Sequence, residues 1–193
     1  MGNSKLEQLT SKINELLSKK DYVILAIDGR CGSGKTTLAS HLQKEFKANL
    51  FHMDDFYLPL SLRTPEILSQ IAGNIDRWRL IEEVLRPLQK RLPFTYRTYS
   101  HTPSPHFSEP IQVQPTKVTI IEGSYSCHPD LASFYDYKIF LSLDKDRQWQ
   151  RLSGRETPED LAGFAKFWIP MEERYFQACQ IQAKCDFYWD FSN

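Results

Sequence analysis

The chain predicts an α/β fold, a mostly parallel sheet covered by helices on both faces. Three observations lead there. Short apolar runs of strand length, at 22–27, 117–121 and 137–143, alternate with segments of helical period. The first run leads straight into Gly29-Arg30-Cys31-Gly32-Ser33-Gly34-Lys35-Thr36, which fits the phosphate-binding pattern G-x-x-x-x-G-K-[ST]. A helix-like stretch, 36–46, follows at once, so strand, loop and helix stand in the order such a loop requires.

The remaining elements follow from periodicity and punctuation. Leu6, Leu9, Ile13, Leu16 and Leu17 recur at helical spacing, so 4–19 is an amphipathic helix expected beside the first strand; a partner-binding face is the alternative. Residues 49–53 form a short second strand ending at Asp54-Asp55. Helices are expected at 64–72 and 77–91, the second with Asp76 as N-cap. The proline-rich stretch 93–116 reads as loops with a short hairpin on the acceptor side. The strand 117–121 ends at Glu122-Gly123, and 137–143 is another strand. A helix at 144–153 is capped by Asp144, 158–183 is mostly helical with an interruption at Pro170, and 185–189 closes as a strand. No repeat, low-complexity tract or linker divides the chain, so 1–193 reads as a single domain.

Composition excludes several classes. The 193 residues are 41% hydrophobic and 25% charged, and Lys+Arg and Asp+Glu both total 24. That balance offers no electrostatic footprint for nucleic acid. No apolar run approaches the roughly 18 residues of a membrane span, and the first twenty residues lack a signal-peptide core, so the expected location is cytoplasmic, without a membrane partner. Cys31, Cys127, Cys179 and Cys185 have no metal spacing and read as reduced thiols. Cys31 lies inside the loop, where its modification is expected to block nucleotide binding.

The loop carries the first chemistry. Gly29, Gly32 and Gly34 let backbone N–H groups turn inward around phosphate oxygens, with Ser33, Lys35, Thr36 and Thr37 completing the cradle. Lys35 can reach the β- and γ-phosphates, and the Thr36 hydroxyl can ligate Mg²⁺. Glu122 ends a buried run, where a partner for Mg²⁺ sits beside such a loop; a solvent-facing carboxylate is the alternative. Asp54 ends the second strand, where a carboxylate points into the ligand crevice and can take the proton of an attacking hydroxyl. A turn or cap would also explain Asp54-Asp55. Arg147, Arg151 and Arg155 lie four apart; on one helix face they could clamp a transferring phosphoryl group, or form a solvated stripe. Gly154 and Pro158 punctuate this segment, which makes 145–165 a lid region.

With these motifs in view, a family resemblance emerges. Ile27-Asp28-Gly29-Arg30-Cys31-Gly32-Ser33-Gly34-Lys35-Thr36-Thr37, then Asp54-Asp55-Phe56-Tyr57, then Ile121-Glu122-Gly123-Ser124-Tyr125, then Arg151-Leu152-Ser153-Gly154-Arg155 come in the order seen in uridine kinases. The chain resembles the uridine kinase and phosphoribulokinase group of P-loop kinases over about 22–190. The resemblance implies a five-stranded parallel core in a three-layer α/β/α arrangement with a helical lid. It implies that Asp54 is the general base toward a ribose 5′-hydroxyl, Tyr57 lines the nucleoside site, Asp76 holds ribose hydroxyls and Glu122 is the metal-associated acid. Arg151 and Arg155 match lid arginines. Tyr96 and His101 keep the interval of the family's base-recognition pair, while Tyr99 better fits the distance to Glu122. Gly154 stands where nucleoside-specific members can carry an Arg.

The expected activity is transfer of a phosphoryl group from ATP or GTP, with Mg²⁺, to a small-molecule hydroxyl, foremost the 5′-hydroxyl of uridine or cytidine. Pantothenate, a sugar-like alcohol or a nucleoside monophosphate would use the same architecture. A regulatory nucleotide switch would leave Asp54 and the lid arginines without a role. A homo-oligomer is open.

Overall fold

The computed structural model describes residues 2–100 and 104–192. Helix α1 (Gly2–Leu17) packs Leu9 and Ile13 into the core, so its apolar stripe is an internal face. Strand β1 (Val23–Gly29) is buried along its whole length. Helix α2 (Lys35–Phe46) and strand β2 (Asn49–His52) follow, then a 3₁₀ turn, Met53–Phe56. After α3 (Pro65–Leu68) and α4 (Arg77–Leu80), a π-helical turn, Ile81–Leu85, continues into α5 (Arg86–Lys90). The expected loops and hairpin become two nested antiparallel ladders. Strand β3 (Phe94–Tyr96) pairs with β6 (Ile111–Val113), and β4 (Tyr99–Ser100) with β5 (His106–Phe107).

Strand β7 (Val118–Glu122), a 3₁₀ segment Pro129–Phe134 and strand β8 (Tyr137–Ser142) come next. Helices α6 (Lys145–Ser153) and α7 (Pro158–Gly163), a π turn Phe164–Trp168, α8 (Ile169–Cys179), α9 (Ile181–Lys184) and strand β9 (Phe187–Asp190) complete the chain. The central sheet has five parallel strands in the order β2-β7-β1-β8-β9. Alternate residues of β1 serve opposite faces, as strand geometry requires. Val23, Leu25 and Ile27 pack with Leu9, Leu38 and Leu42, whereas Ile24 and Ala26 pack with Leu80, Val84 and Phe176. Helices therefore cover both faces, which gives the three-layer arrangement expected.

Some boundaries differ from expectation, for local reasons. Helix 64–72 shrinks to one turn, Pro65–Leu68, because the chain turns back through a left-handed Ala72 (φ 53°) and Gly73. Helix 158–183 is not broken at Pro170. A proline ring clashes with the carbonyl four residues back, here Lys166. The preceding turn widens by one residue instead, and the Ile169 N–H bonds to Phe164 O in a π register. Pro87 is accommodated the same way, with the Arg86 N–H on Ile81 O. The real interruption is Gln180, left-handed at φ 53°. Among the described residues no helix is long and apolar enough to cross a membrane.

Candidate active site

In an open parallel sheet, ligands bind outside the carboxyl ends of the strands. Three functional segments start from those ends here. The loop leaves β1, Asp54 follows β2 and Glu122 ends β7, which lies between them; Glu122 pairs in register with Ile27 on one side and His52 on the other.

The loop is tightly framed. Gly29 has φ +139°, and a Cβ there would lie 2.0 Å from Leu141 O, so the exit from β1 requires glycine. The Arg30 guanidinium is held by Glu173 at 2.6 and 2.9 Å and by Ser142 at 2.7 Å. The Cys31 N–H donates to Glu172 at 3.0 Å, and Gln148 donates to Cys31 O at 3.1 Å. Ser33 is buried, and Gly34 is left-handed at the head of α2. Lys35 Nζ donates to Gly29 O (2.7 Å) and Arg30 O (3.1 Å). An ammonium has three N–H groups, so one is left for a phosphate oxygen. Gly32, Gly34, Lys35, Thr36 and Thr37 line the cleft above the loop.

Opposite the loop, the Thr36 hydroxyl is 3.3 and 3.4 Å from the two oxygens of buried Glu122, whose Oε1 also meets His52 Nδ1 at 2.5 Å. That contact holds the His52 imidazole above its usual pKa. Hydroxyl and carboxylate oxygens suit a hard cation. Among the described residues no three His, Cys, Asp or Glu side chains cluster as a metal cage. The Thr36 and Glu122 oxygens would be the protein's share of a Mg²⁺ site, an ion usually held by one or two protein oxygens with phosphates and water.

Of the acidic pair, Asp54 lines the cleft and Asp55 does not. Asp54 is open to water along the cleft and walled by protein elsewhere. That enclosure, and then the Glu122 charge, raises its pKa; the nearby Lys35 and a hydrogen bond from Tyr57 oppose the change. Tyr57 faces Trp168, with ring centroids 6.4 Å apart, and Tyr125 and Phe164 extend this aromatic wall. The Arg63 guanidinium sits 5.2 Å from the centre of the Tyr57 ring.

Other expected site residues lie elsewhere. Asp76 caps α4 through the Arg79 N–H (3.0 Å), and its own N–H donates to Phe56 O, which places it behind Tyr57 rather than on the cleft lining. Tyr96 stacks on Phe56 and meets Phe51 edge-on, as part of the hydrophobic packing. Tyr99 is buried against Phe107 and accepts the Leu60 N–H. His101 lies outside the described residues. The three arginines separate. Arg155 lines the cleft, Arg151 donates to Gly32 O at 3.0 Å and covers Phe191, and Arg147 donates to Phe191 O at 2.6 Å. Cys31 lines the cleft but is largely buried, and desolvation pushes its thiol up to about 12, which disfavours the thiolate that modification requires.

Phe164, Trp168 and Glu172 also line the cleft, and the sequence did not single them out. They lie on the π turn and α8, and no motif marks them. Asp28 was also missed. It is fully buried, and accepts the Gly29 N–H (2.7 Å), the Cys127 N–H (2.9 Å) and the Tyr175 hydroxyl (2.7 Å).

A parallel sheet whose central strand opens into a phosphate loop, with an acid at the end of the adjoining strand, has the architecture of the P-loop kinases. Residues 24–159 match the model of the phosphoribulokinase/uridine kinase family, and the chain belongs to that family. It is accordingly a phosphotransferase with an alcohol group as acceptor. A protein named uridine kinase from Ureaplasma parvum serovar 3 is 22% identical over 192 residues, covering 92% of this chain and 93% of the relative. The structure of a possible uridine kinase from Bacillus stearothermophilus superposes with TM-score 0.66 at 22% identity, over 95% of this chain and 100% of the other. A D-glycerate 3-kinase from Cryptococcus neoformans shares the fold with TM-score 0.62 at 19% identity, over 87% of each chain.

Proposed function

We propose that the protein transfers the γ-phosphoryl group of ATP or GTP to the 5′-hydroxyl of uridine or cytidine. The observation that carries this reading is the shared cleft: the Asp54 carboxylate opens onto the same space as Lys35 and Thr36, beside the aromatic wall of Tyr57, Tyr125 and Trp168. Planar rings suit a nucleoside base, and carboxylates suit sugar hydroxyls.

Phosphoryl transfer requires positioning and charge neutralisation more than covalent chemistry. The loop amides and Lys35 hold the donor phosphates. Thr36 and Glu122 would hold Mg²⁺, which neutralises phosphate charge when bound. Asp54, raised in pKa by its surroundings, orients the acceptor hydroxyl and takes its proton as the bond to phosphorus forms. Arg155 lines the cleft with its Nε held by Glu156 at 2.6 Å and would turn its remaining N–H groups to the developing charge, and Arg151 steadies the loop through the Gly32 carbonyl.

Arg63 favours a second reading. Its Nε donates to Leu58 O at 2.6 Å, while its Nη2 is buried without a hydrogen-bond partner. Arg63 is not on the cleft lining itself, so its charge behind the Tyr57 ring would favour an acceptor carrying an anionic group, such as a hydroxy acid, at longer range. A panel of nucleosides, hydroxy acids and sugar alcohols, incubated with Mg-ATP and scored by product mass, separates the two. Uridine or cytidine monophosphate supports the first reading; a phosphorylated hydroxy acid with no nucleotide product replaces it with the second.

A further inference from the structure

Glu172 faces the cleft although only 5% of it is exposed, and the transfer mechanism above gives it no task. Its two carboxylate oxygens serve different segments. Oε2 accepts the Cys31 N–H of the phosphate loop at 3.0 Å, and Oε1 accepts the hydroxyl of Ser124, two residues beyond Glu122. The same stretch of α8 carries Glu173, which takes the Arg30 guanidinium, and Tyr175, which holds Asp28. Residues 28, 30 and 31 are therefore all held from one turn of α8. That helix continues directly from the π turn bearing Phe164 and Trp168, the acceptor-side wall.

A carboxylate beside a cleft that receives phosphates is electrostatically unfavourable. Its place there is explained by reach: one side chain spans from the donor loop to the segment of the metal-associated acid. We propose that Glu172 is a positioning residue. It sets the spacing between the phosphate loop and the Glu122–Ser124 segment, so the loop amides stand formed before the nucleotide arrives. The proposal rests on the donor half of the reading above and not on the identity of the acceptor.

Three substitutions separate reach from charge. Glu172→Gln keeps the length, its carbonyl accepting the Cys31 N–H and its amide donating to Ser124. Glu172→Asp keeps the charge but is one methylene short, and Glu172→Ala loses both. Mg-ATP affinity by calorimetry should stay within about threefold of the parent for the Gln variant. It should weaken by about 10- to 100-fold for Asp and Ala, which leave the Cys31 N–H buried without an acceptor in reach. Hydrogen exchange at the Cys31 amide should quicken in the same order. An Asp variant that binds like the parent while Gln does not would make charge the operative property and overturn the proposal, as would equal affinity in all variants. If the Ala variant fails to fold, the Asp and Gln pair still decides. Failure of the nucleoside reading registers separately, as absence of a nucleoside monophosphate in the product panel.

Discussion

The Tyr175 hydroxyl donates to the Asp28 carboxylate at 2.7 Å inside the core, across 147 residues of sequence and one position before the phosphate loop begins. Asp28 also takes the N–H of Gly29 and of Cys127, so it joins β1, the segment after β7 and α8 at one buried point. Burial nonetheless lifts its pKa from 3.8 to about 6 despite those bonds.

The raised pKa ties stability to pH with a definite sign. Between pH 3.8 and about 6 the folded state holds a proton on Asp28 that the unfolded chain releases. The group's stabilising contribution is full below 3.8 and is lost as pH rises through about 6, a loss of about 3 kcal/mol in all. Urea unfolding of the parent and of Asp28→Asn, in steps of about 0.5 pH between roughly 3.5 and 7, should show the parent-minus-variant stability falling across that window. A difference that is flat or rises with pH contradicts the account.

Asp54→Asn should reduce kcat by about 10²–10⁴, the usual contribution of a general base, while Mg-ATP affinity stays close to the parent's. Because the pKa of Asp54 is raised, the acid limb of the parent's kcat/KM profile should lie above that of an ordinary aspartate. Turnover near the parent's would remove Asp54 from the role.

Lys35→Ala should weaken nucleotide binding and turnover together, because the ammonium held by the Gly29 and Arg30 carbonyls is the group proposed to reach the donor phosphates. Single-turnover kinetics and nucleotide titration read the two separately, and an unchanged rate places the donor phosphates elsewhere.

Cys31 and Cys127 are buried, whereas Cys179 and Cys185 are half-exposed. Iodoacetamide labelling of the native protein, followed by peptide mass spectrometry, should modify Cys179 and Cys185 well before the other two. Early labelling of Cys31 would show that burial does not protect the loop thiol.

Gly29→Ala should destabilise the fold by more than about 3 kcal/mol, since it combines a forbidden φ with a clash against backbone. The added Cβ would meet Leu141 O at 2.0 Å, so the backbone at the end of β1 or β8 must shift to relieve it. A melting temperature within a few degrees of the parent's would show that the loop exit can relax.

The donor site was legible in the sequence because its parts are local. Strand, loop and helix occupy consecutive residues from Val23 to Phe46, and their glycines, lysine and threonine have fixed spacing. Asp54 and Glu122 were legible for a related reason: each stands at a strand end, and strand ends converge at one edge of a parallel sheet. The roles of Tyr96, Asp76 and Arg151 were harder to read. Each has the right residue type near the right motif, but whether a ring packs inward or faces a ligand depends on neighbours distant in sequence. Phe51 and Phe56 pack against a half-buried Tyr96, and the Arg79 N–H engages Asp76.

Periodicity and short-range spacing are enough to specify the layered fold, the phosphate-loop motif and the acids at two strand ends. What meets the loop depends on how the distant elements pack. Insertion of β7 between β2 and β1 set Glu122 against Thr36, and docking of α8 brought Glu172, Glu173 and Tyr175 onto residues 28–31. The physical reason is range. Spacing encodes contacts within a few residues, whereas contacts across 86 to 147 positions exist only once two hydrophobic layers have closed over the sheet.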